Sequence, residues 1–490
     1  MAQPKPRHRR SAARRIGLAS AILLSVAGPA VGQAPAPSPT VPPAARTYPI
    51  TLPTALQLAN ANPLDIAIAV ERLRAATARY DRARVLWLPN VGLGVDYFRH
   101  DGQIQDIGGN VFTTSRSSFL VGGGPTLSVA VADAIYAPLA ARQVVAARRS
   151  DVQAAVNDST LAVAEAYFDV QQARGELAGA TDAARRAEDL VRRTEKLAPG
   201  LAPSVEINRA RTELARRRQA VEAAAERWEV ASAELVRLLR LDPTTVVEPT
   251  EAPNVRVELI DPNATVDDLI PLALTHRPEL ASQQALVQAT LARIRHEKLR
   301  PLVPSVVLRG VASNTPGLSS GYFGGGINGF VGNFGGRNSM DLQIVWQLDN
   351  LGFGNRAAVR ERQAENRQAL AELFRIQDRV ASEVVRALAQ VKRAANRMRA
   401  AGDGVRNAVE TADKNLQGLG QTKRVGEQLT TIFRPQEAVA AVAALDQAYR
   451  DYYAAVADLN RAQFRLYRAV GHPAQSLAAS GQPAPQSLAK

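Results

Sequence analysis

The chain has 490 residues, enough for two to four ordinary domains, with 60 Lys or Arg against 46 Asp or Glu and no cysteine. Absence of cysteine excludes disulfides, thiolate metal sites, cysteine nucleophiles and a lipid-modified N-terminal cysteine. The net charge of +14 includes six Lys or Arg among residues 1–32, and the remainder is interleaved with acids along helices, as in RRAEDLVRRTEK. Such mixing marks solvated helix faces rather than a nucleic-acid-binding stripe.

In chain order, Lys5, Arg7, Arg9, Arg10, Arg14 and Arg15 precede an apolar run, Ile16 to Ala27, and Ala30-Val31-Gly32 offers a small-x-small cleavage site. Residues 1–32 are therefore expected to be a signal peptide, a membrane anchor being the alternative. The apolar run is short for a spanning helix, and no later stretch reaches eighteen apolar residues. Any later membrane passage would have to use strands. Residues 33–47 read as a Pro-rich linker.

From Thr51 the pattern is helical to Leu88, with no Pro or Gly between Leu64 and Leu88. Pro89 ends the helix and the period changes. Val91, Leu93, Val95 and Tyr97 alternate with Gly92, Gly94, Asp96 and Phe98, which predicts a strand over about 90–98. A second strand is predicted over about 117–131. A near-continuous helix should run from Leu139 to Leu197, containing only Gly175 and Gly179 as weak points. After the break APGLAPS, the segment Ser204–Leu241 places Ile207, Leu214, Val221, Trp228 and Leu235 seven residues apart. Ala210, Ala224, Ala231 and Leu238 make a second track, interrupted by Arg217. Two such tracks form a coiled-coil seam, and one rich in Ala demands a close partner helix.

Asp242-Pro243 should close this first unit (48–243), and an irregular Pro-rich segment (244–263) follows. Then the plan repeats over 264–473. THRPEL at 275–280 stands where NANPLD stood at 60–65, and Pro278 to Pro304 spans the same 26 residues as Pro63 to Pro89. Strands are predicted over about 304–313 and 340–349. Between them the Gly-rich GYFGGGINGFVGNFGG lacks the Lys-Ser/Thr of a phosphate loop and is read as a long surface loop. A long helix from about Asn355, a break near Gly426 and a seam helix over Ala438–Val470 complete the repeat, and residues 474–490 read as a disordered tail. Twelve of the 24 aromatic residues fall within 87–136 and 322–353. Trp87, Tyr97, Phe98, Trp346 and Phe353 thus become candidates for membrane-interface aromatics, although a soluble sheet core also collects aromatics.

These residues resemble the TolC-like outer-membrane factor family over roughly Tyr48 to Pro473. The duplicated helix–strand–strand–helix–helix plan carries the resemblance, with VWQLDNLGFGNRAAVRERQAE (345–365) at the strand-to-helix handover and KLAPGLAPSVEINRA (196–210) at a helical tip. KRVGEQLTTIFRPQEA (423–438) resembles the second tip more loosely. The resemblance implies a mainly α fold with a small β part. Duplicated helical hairpins would form a tunnel, and four strands per chain would join a twelve-stranded barrel in a homotrimer. It implies a passive outer-membrane exit duct, contacting outer-membrane lipid, that docks a periplasmic adaptor and, through it, an inner-membrane pump. Gly200, Ser204, Gly426 and Thr430 would be adaptor-contacting tips, and Asp413, Gln417 and Gln421 a possible lumen gate. No enzyme, cofactor, metal or nucleic-acid role is expected: the five histidines (8, 100, 276, 296, 472) are dispersed, without ligand spacing. The competing reading is a secreted coiled-coil scaffold or adaptor without a pore.

Overall fold

A computed structural model describes residues 46–61, 63–197, 204–261, 263–309, 318, 320–419, 421–425, 428–431 and 434–472. The chain divides after Ala44, and all of these residues belong to the unit beginning at Ala45. The expected signal peptide and tail, and the expected linker up to residue 45, lie outside the described residues; Arg46 and Thr47, read as the end of that linker, belong to a strand because they pair with Thr245 and Val246.

The first half runs β1 (Arg46–Ile50), α1 (Leu52–Ala61), α2 (Leu64–Arg84), β2 (Asn90–Gln105), β3 (Val111–Ala130), α3 (Val131–Leu197), α4 (Ser204–Leu239) and β4 (Thr245–Pro249). The second runs α5 (Val266–His276), α6 (Pro278–Leu299), β5 (Ser305–Arg309), β6 (Ser320–Ile327), β7 (Gly332–Asn338), β8 (Asp341–Val345), α7 (Phe353–Gly418), β9 (Thr422–Val425), β10 (Gln428–Thr431) and α8 (Pro435–Val470). The duplication is close in length: α3 and α7 have 67 and 66 residues, and α4 and α8 have 36 each. At 1.5 Å per residue the longer pair extend roughly 100 Å.

The heptad tracks are the packing surfaces. On α4, Ala210, Ala224 and Leu235 are fully buried. On α8, Val442, Leu445, Val456 and Leu466 are buried likewise. Arg217, which interrupts the α4 track, is not a flaw in the seam. Its guanidinium pairs with Asp446 of α8, 1% exposed, and lies 2.8 Å from Glu213. Gly175 and Gly179, four residues apart on α3, make room for α8. A Cβ at Gly175 would fall 2.5 Å from the Tyr453 ring, and one at Gly179 would fall 2.6 Å from Tyr449 Cβ.

Between the repeats, the irregular segment is tied down by polar side chains of α8. Asn460 accepts from Val257 N at 2.9 Å and donates to Val255 O at 2.9 Å; Gln463 accepts from Ile260 N at 3.1 Å. Buried backbone polar groups outside regular structure need such partners. The segment also holds β4, which pairs in parallel with β1, from Arg46↔Thr245 to Ile50↔Pro249. This pair escapes sequence reading because five-residue strands carry little periodicity.

The main sheet has the order β7-β6-β3-β5-β8, with β2 on the other edge of β3. Both β5 and β6 pair antiparallel with the same edge of β3, at different heights. Leu127 faces Leu308, and four positions back Gly123 faces Ser320, so the register shifts by eight residues between β5 and β6. β7 and β8 return alongside. The sheet therefore has four ladder positions, as expected from the sequence, with the third interrupted.

Several boundaries need correction. β3 starts at Val111 and α3 follows it directly at Val131, with Pro138 inside its first turns. The third strand pairs over Ser305–Arg309 and again over Ser320–Ile327; the fourth runs from Gly332 to Val345 with a short gap, and stops before Trp346. The Gly-rich stretch is not a surface loop: Ser320–Asn338 forms the β6–β7 hairpin. Glycine is disfavoured in strands, but here the backbones leave no space for side chains. A Cβ on Gly122 would lie 1.9 Å from Ser320 O, and one on Gly321, at φ +157, would lie 2.1 Å from Val121 O.

Candidate functional site: the barrel wall and the helical tips

The sheet sorts its side chains by chemistry. Along β2, Val91, Leu93, Val95 and Tyr97 stand on one face and are 53–85% exposed. The ladder carries that face across the sheet: Val95↔Val121↔Tyr322, then Leu127↔Leu308↔Leu342 and Val306↔Ile344. Large apolar side chains bare of cover on one whole sheet face are unsuited to water and match hydrocarbon. The opposite, more polar face is mixed: it carries Gly92, Gly94 and Asp96 on β2, Ser118 and Gly122 on β3 and Gln343 on β8, with Phe98, Leu120 and Phe323 among them. Here Arg309 Nε donates to Asp341 Oδ2 at 3.2 Å across β5 and β8. Among the described residues no helix is long and apolar enough to cross a membrane, so the strands are the membrane-compatible element.

Of the sequence-selected aromatics, Tyr97 lies on the apolar face, 53% exposed. Phe98, its neighbour in the strand, points to the polar face, because successive strand residues alternate. Trp87 sits in the turn between α2 and β2, Trp346 just past β8, and Phe353 at the first position of α7, all at least 49% exposed. These three occupy the sheet's helix-bearing end, whereas the turns at 106–110 and 328–331 mark its far end.

At the other extremity, α3/α4 and α7/α8 approach their connections. Gly200 and Gly426 lie outside the described residues. Ser204 opens α4, and Thr430 stands in β10 opposite Lys423 of β9, a small antiparallel ribbon that the sequence did not announce. Gln417 and Gln421 are exposed. Asp413 is not a free carboxylate: it accepts from Arg186 of α3, whose Nε also donates to Asp182 at 2.7 Å. Burial works against the Arg186 charge, but hydrogen bonds to Asp182 and Asp413 outweigh it and hold the guanidinium above its ordinary pKa. Tyr449 of α8 donates to the same Asp182 at 3.1 Å, so one polar knot joins α3, α7 and α8. The structure thus brings Asp413 to α3. No cluster of three or more His, Cys, Asp or Glu able to hold a metal occurs among the described residues.

The outer membrane efflux protein family matches residues 55–239 and 269–425, most of both repeats. The chain belongs to this family. The outer membrane efflux protein described here is thus a channel protein of the outer membrane, and its family is one of transport ducts rather than of enzymes. Its fold is the TolC-like one of α-helical tunnel and β-barrel segments. No curated protein sequence matches it. Solved structures similar to it include a membrane protein from Pseudomonas aeruginosa, at 19% identity and TM-score 0.70, with 86% of this chain and 93% of that one covered. The outer membrane protein VceC from Vibrio cholerae aligns at 15% identity and TM-score 0.65, covering 86% and 96%. The open-state MtrE outer membrane channel from Neisseria gonorrhoeae aligns at 15% and 0.64, covering 86% and 88%. At these identities the likeness concerns the fold alone, and it spans both the helices and the sheet of this efflux protein.

Proposed function

We propose that three copies of this chain form the exit duct of a tripartite efflux or secretion system. The observation that carries the proposal is the open sheet. Its β2 edge and its β7/β8 edge have no strand partner among the described residues, while one face is apolar from Val91 to Tyr97 and across to Leu308, Leu342 and Ile344. In hydrocarbon every backbone N–H and C=O needs a partner, so such a sheet must close. Four ladder positions are too few to enclose water, and three copies supply twelve. The polar face then lines the lumen, and the helices continue the wall into the periplasm after the signal peptide is removed.

In this reading the duct is passive. Its helical tips, with Gly200 and Ser204 at one and Gly426 and Thr430 at the other, dock a periplasmic adaptor coupled to an inner-membrane pump. Asp413, already compensated by Arg186, contributes less to a lumen gate than a free carboxylate would. The test is the mass of the purified mature protein in detergent, measured by light scattering with the detergent subtracted. A protein mass three times that of the processed chain is expected. A clean monomer that partitions to the soluble periplasmic fraction would overturn the duct and favour the coiled-coil scaffold.

A further inference from the structure

On the lumen-facing side of the sheet, one apolar side chain lies outside the ladder. Leu318 belongs to the interval where β5 and β6 are out of register, and it is 2% exposed. It packs on Leu120 of β3, itself 3% exposed, with Phe323 of β6 beside them. Leu120 faces Asp96 on one side and Phe323 on the other, which puts all of them on the polar face. A Cβ at Gly94, also on that face, would lie 3.7 Å from Leu318 Cδ2, so Leu318 reaches across to β2. The guanidinium of Arg337 stands 5.6 Å from the Phe323 ring centroid, in cation–π contact. Elsewhere this face mixes Gly92, Gly94, Asp96 and Ser118 with single large side chains, Phe98, Arg116 and Val307 among them. At this one height it carries a second layer.

We propose that Leu120, Leu318, Phe323 and Arg337 form an inward-projecting collar that sets the width of the barrel midway through the membrane. The proposal rests on the three-copy barrel of the preceding section. Twelve strands about 4.8 Å apart and tilted by about 40° give a backbone diameter of roughly 24 Å. Three collars of apolar side chains two layers deep narrow that lumen to a solute-sized passage with a ring of three guanidinium groups. The collar is a fixed size filter, separate from whatever happens at the helical tips, and it presents apolar and cationic surface to the passing solute.

The absence of cysteine makes the test direct. Arg116, paired with Ile327 near the far turns, lies outward of the collar; Gln343, paired with Val307 near the helices, lies inward of it, on the same face. Arg116→Cys and Gln343→Cys are made singly and exposed in intact cells to maleimides added from outside, one small and one carrying a polymer coil wider than the collar. The small reagent should label both positions. The wide one should label Gln343→Cys at least roughly tenfold more slowly than Arg116→Cys, and Leu318→Ala with Phe323→Ala should abolish the difference. Equal labelling by the wide reagent with the collar intact overturns the proposal, as does exclusion that persists without the collar. Failure of the small reagent to reach Gln343→Cys overturns the face assignment. A heat-sensitive oligomer band on gels reports the trimer independently, and Leu318→Ala alone replaces the double variant if that one does not assemble.

Discussion

Replacing Gly179 by alanine tests whether α3 and α8 are packed to the limit that their glycines set. In most helices Gly→Ala stabilises by about 1 kcal/mol through helix propensity. At Gly179 the new methyl would lie 2.6 Å from Tyr449 Cβ and 2.8 Å from its Cγ, where carbon atoms prefer about 3.5–4.0 Å. The ring cannot simply swing aside. Its hydroxyl is held by Asp182 at 3.1 Å, and it stacks on Tyr453 at 6.4 Å, which in turn covers Gly175. The helices must therefore separate by about 1 Å over that turn, an overpacking cost of about 1–3 kcal/mol. Sterics outweigh propensity, leaving a net loss of about 1 kcal/mol in each chain. The matched control is Gly404→Ala on α7, where a Cβ meets nothing within 4 Å and only the propensity gain remains. Thermal unfolding of the assembled protein in detergent, followed by far-ultraviolet circular dichroism, should move down for Gly179→Ala and up for Gly404→Ala. If both variants melt higher than the parent, the glycine seat is not a packing constraint and the reasoning fails.

Two further outcomes follow from the seams. Arg217→Met removes one partner of the buried Arg217–Asp446 pair and leaves the carboxylate with Arg450 alone. A loss of about 3 kcal/mol is expected in denaturant unfolding, the lower end for a broken buried pair because Arg450 remains, and Arg217→Lys should recover part of it. Burial, and then the neighbouring Asp182, push the Tyr449 phenol from 10.0 up to about 12. A group whose pKa is raised by folding contributes stability that is present below its unfolded pKa and is lost as pH climbs through the folded value. The melting temperature should therefore fall between about pH 10 and 12 more steeply in the parent than in Tyr449→Phe, measured alongside phenolate absorbance. Tyr167, raised chiefly by burial and then by its bond to Glu251, and Tyr453, raised chiefly by burial, contribute to the slope that remains in the variant.

Where a periodic pattern runs over many residues, the structure could be read directly from the chain. The heptads of α4 and α8 and the 26-residue echo between Pro63–Pro89 and Pro278–Pro304 announced the long helices and the duplication. The alternation of Val91 to Tyr97 announced both a strand and its apolar face. What stayed hidden was set by partners rather than by local preference. Gly321 to Gly336 has the composition of a loop, and it forms strands because it pairs with β3, where Val121 and Gly122 lie against Gly321 too closely for a side chain there. Arg217 reads as a gap in a seam until Asp446, more than two hundred positions away, is seen opposite. Leu318 has no pattern of its own: its burial depends on the eight-residue register jump, which no local window contains. Trp346 and Leu348 continue an apparent alternation past Val345, yet the pairing has already stopped. The tip residues were chosen through family likeness, and of them Ser204 and Thr430 lie within the described residues.

The pairing of β1 with β4 also bears on the order in which the protein can be built. Arg46 finds its partner, Thr245, 199 positions later, so β1 keeps an unpaired edge until the whole first repeat has been made. Parallel pairing across so long a loop comes late, because the closure entropy must be overcome before the contact rewards it. The α3/α4 hairpin, whose contacts are local, will have formed by then. β1 is thus fastened last within its own half, as a clasp that registers completion of one repeat before the second is engaged. A chain truncated before residue 245 would keep an open strand edge and remain exposed to aggregation.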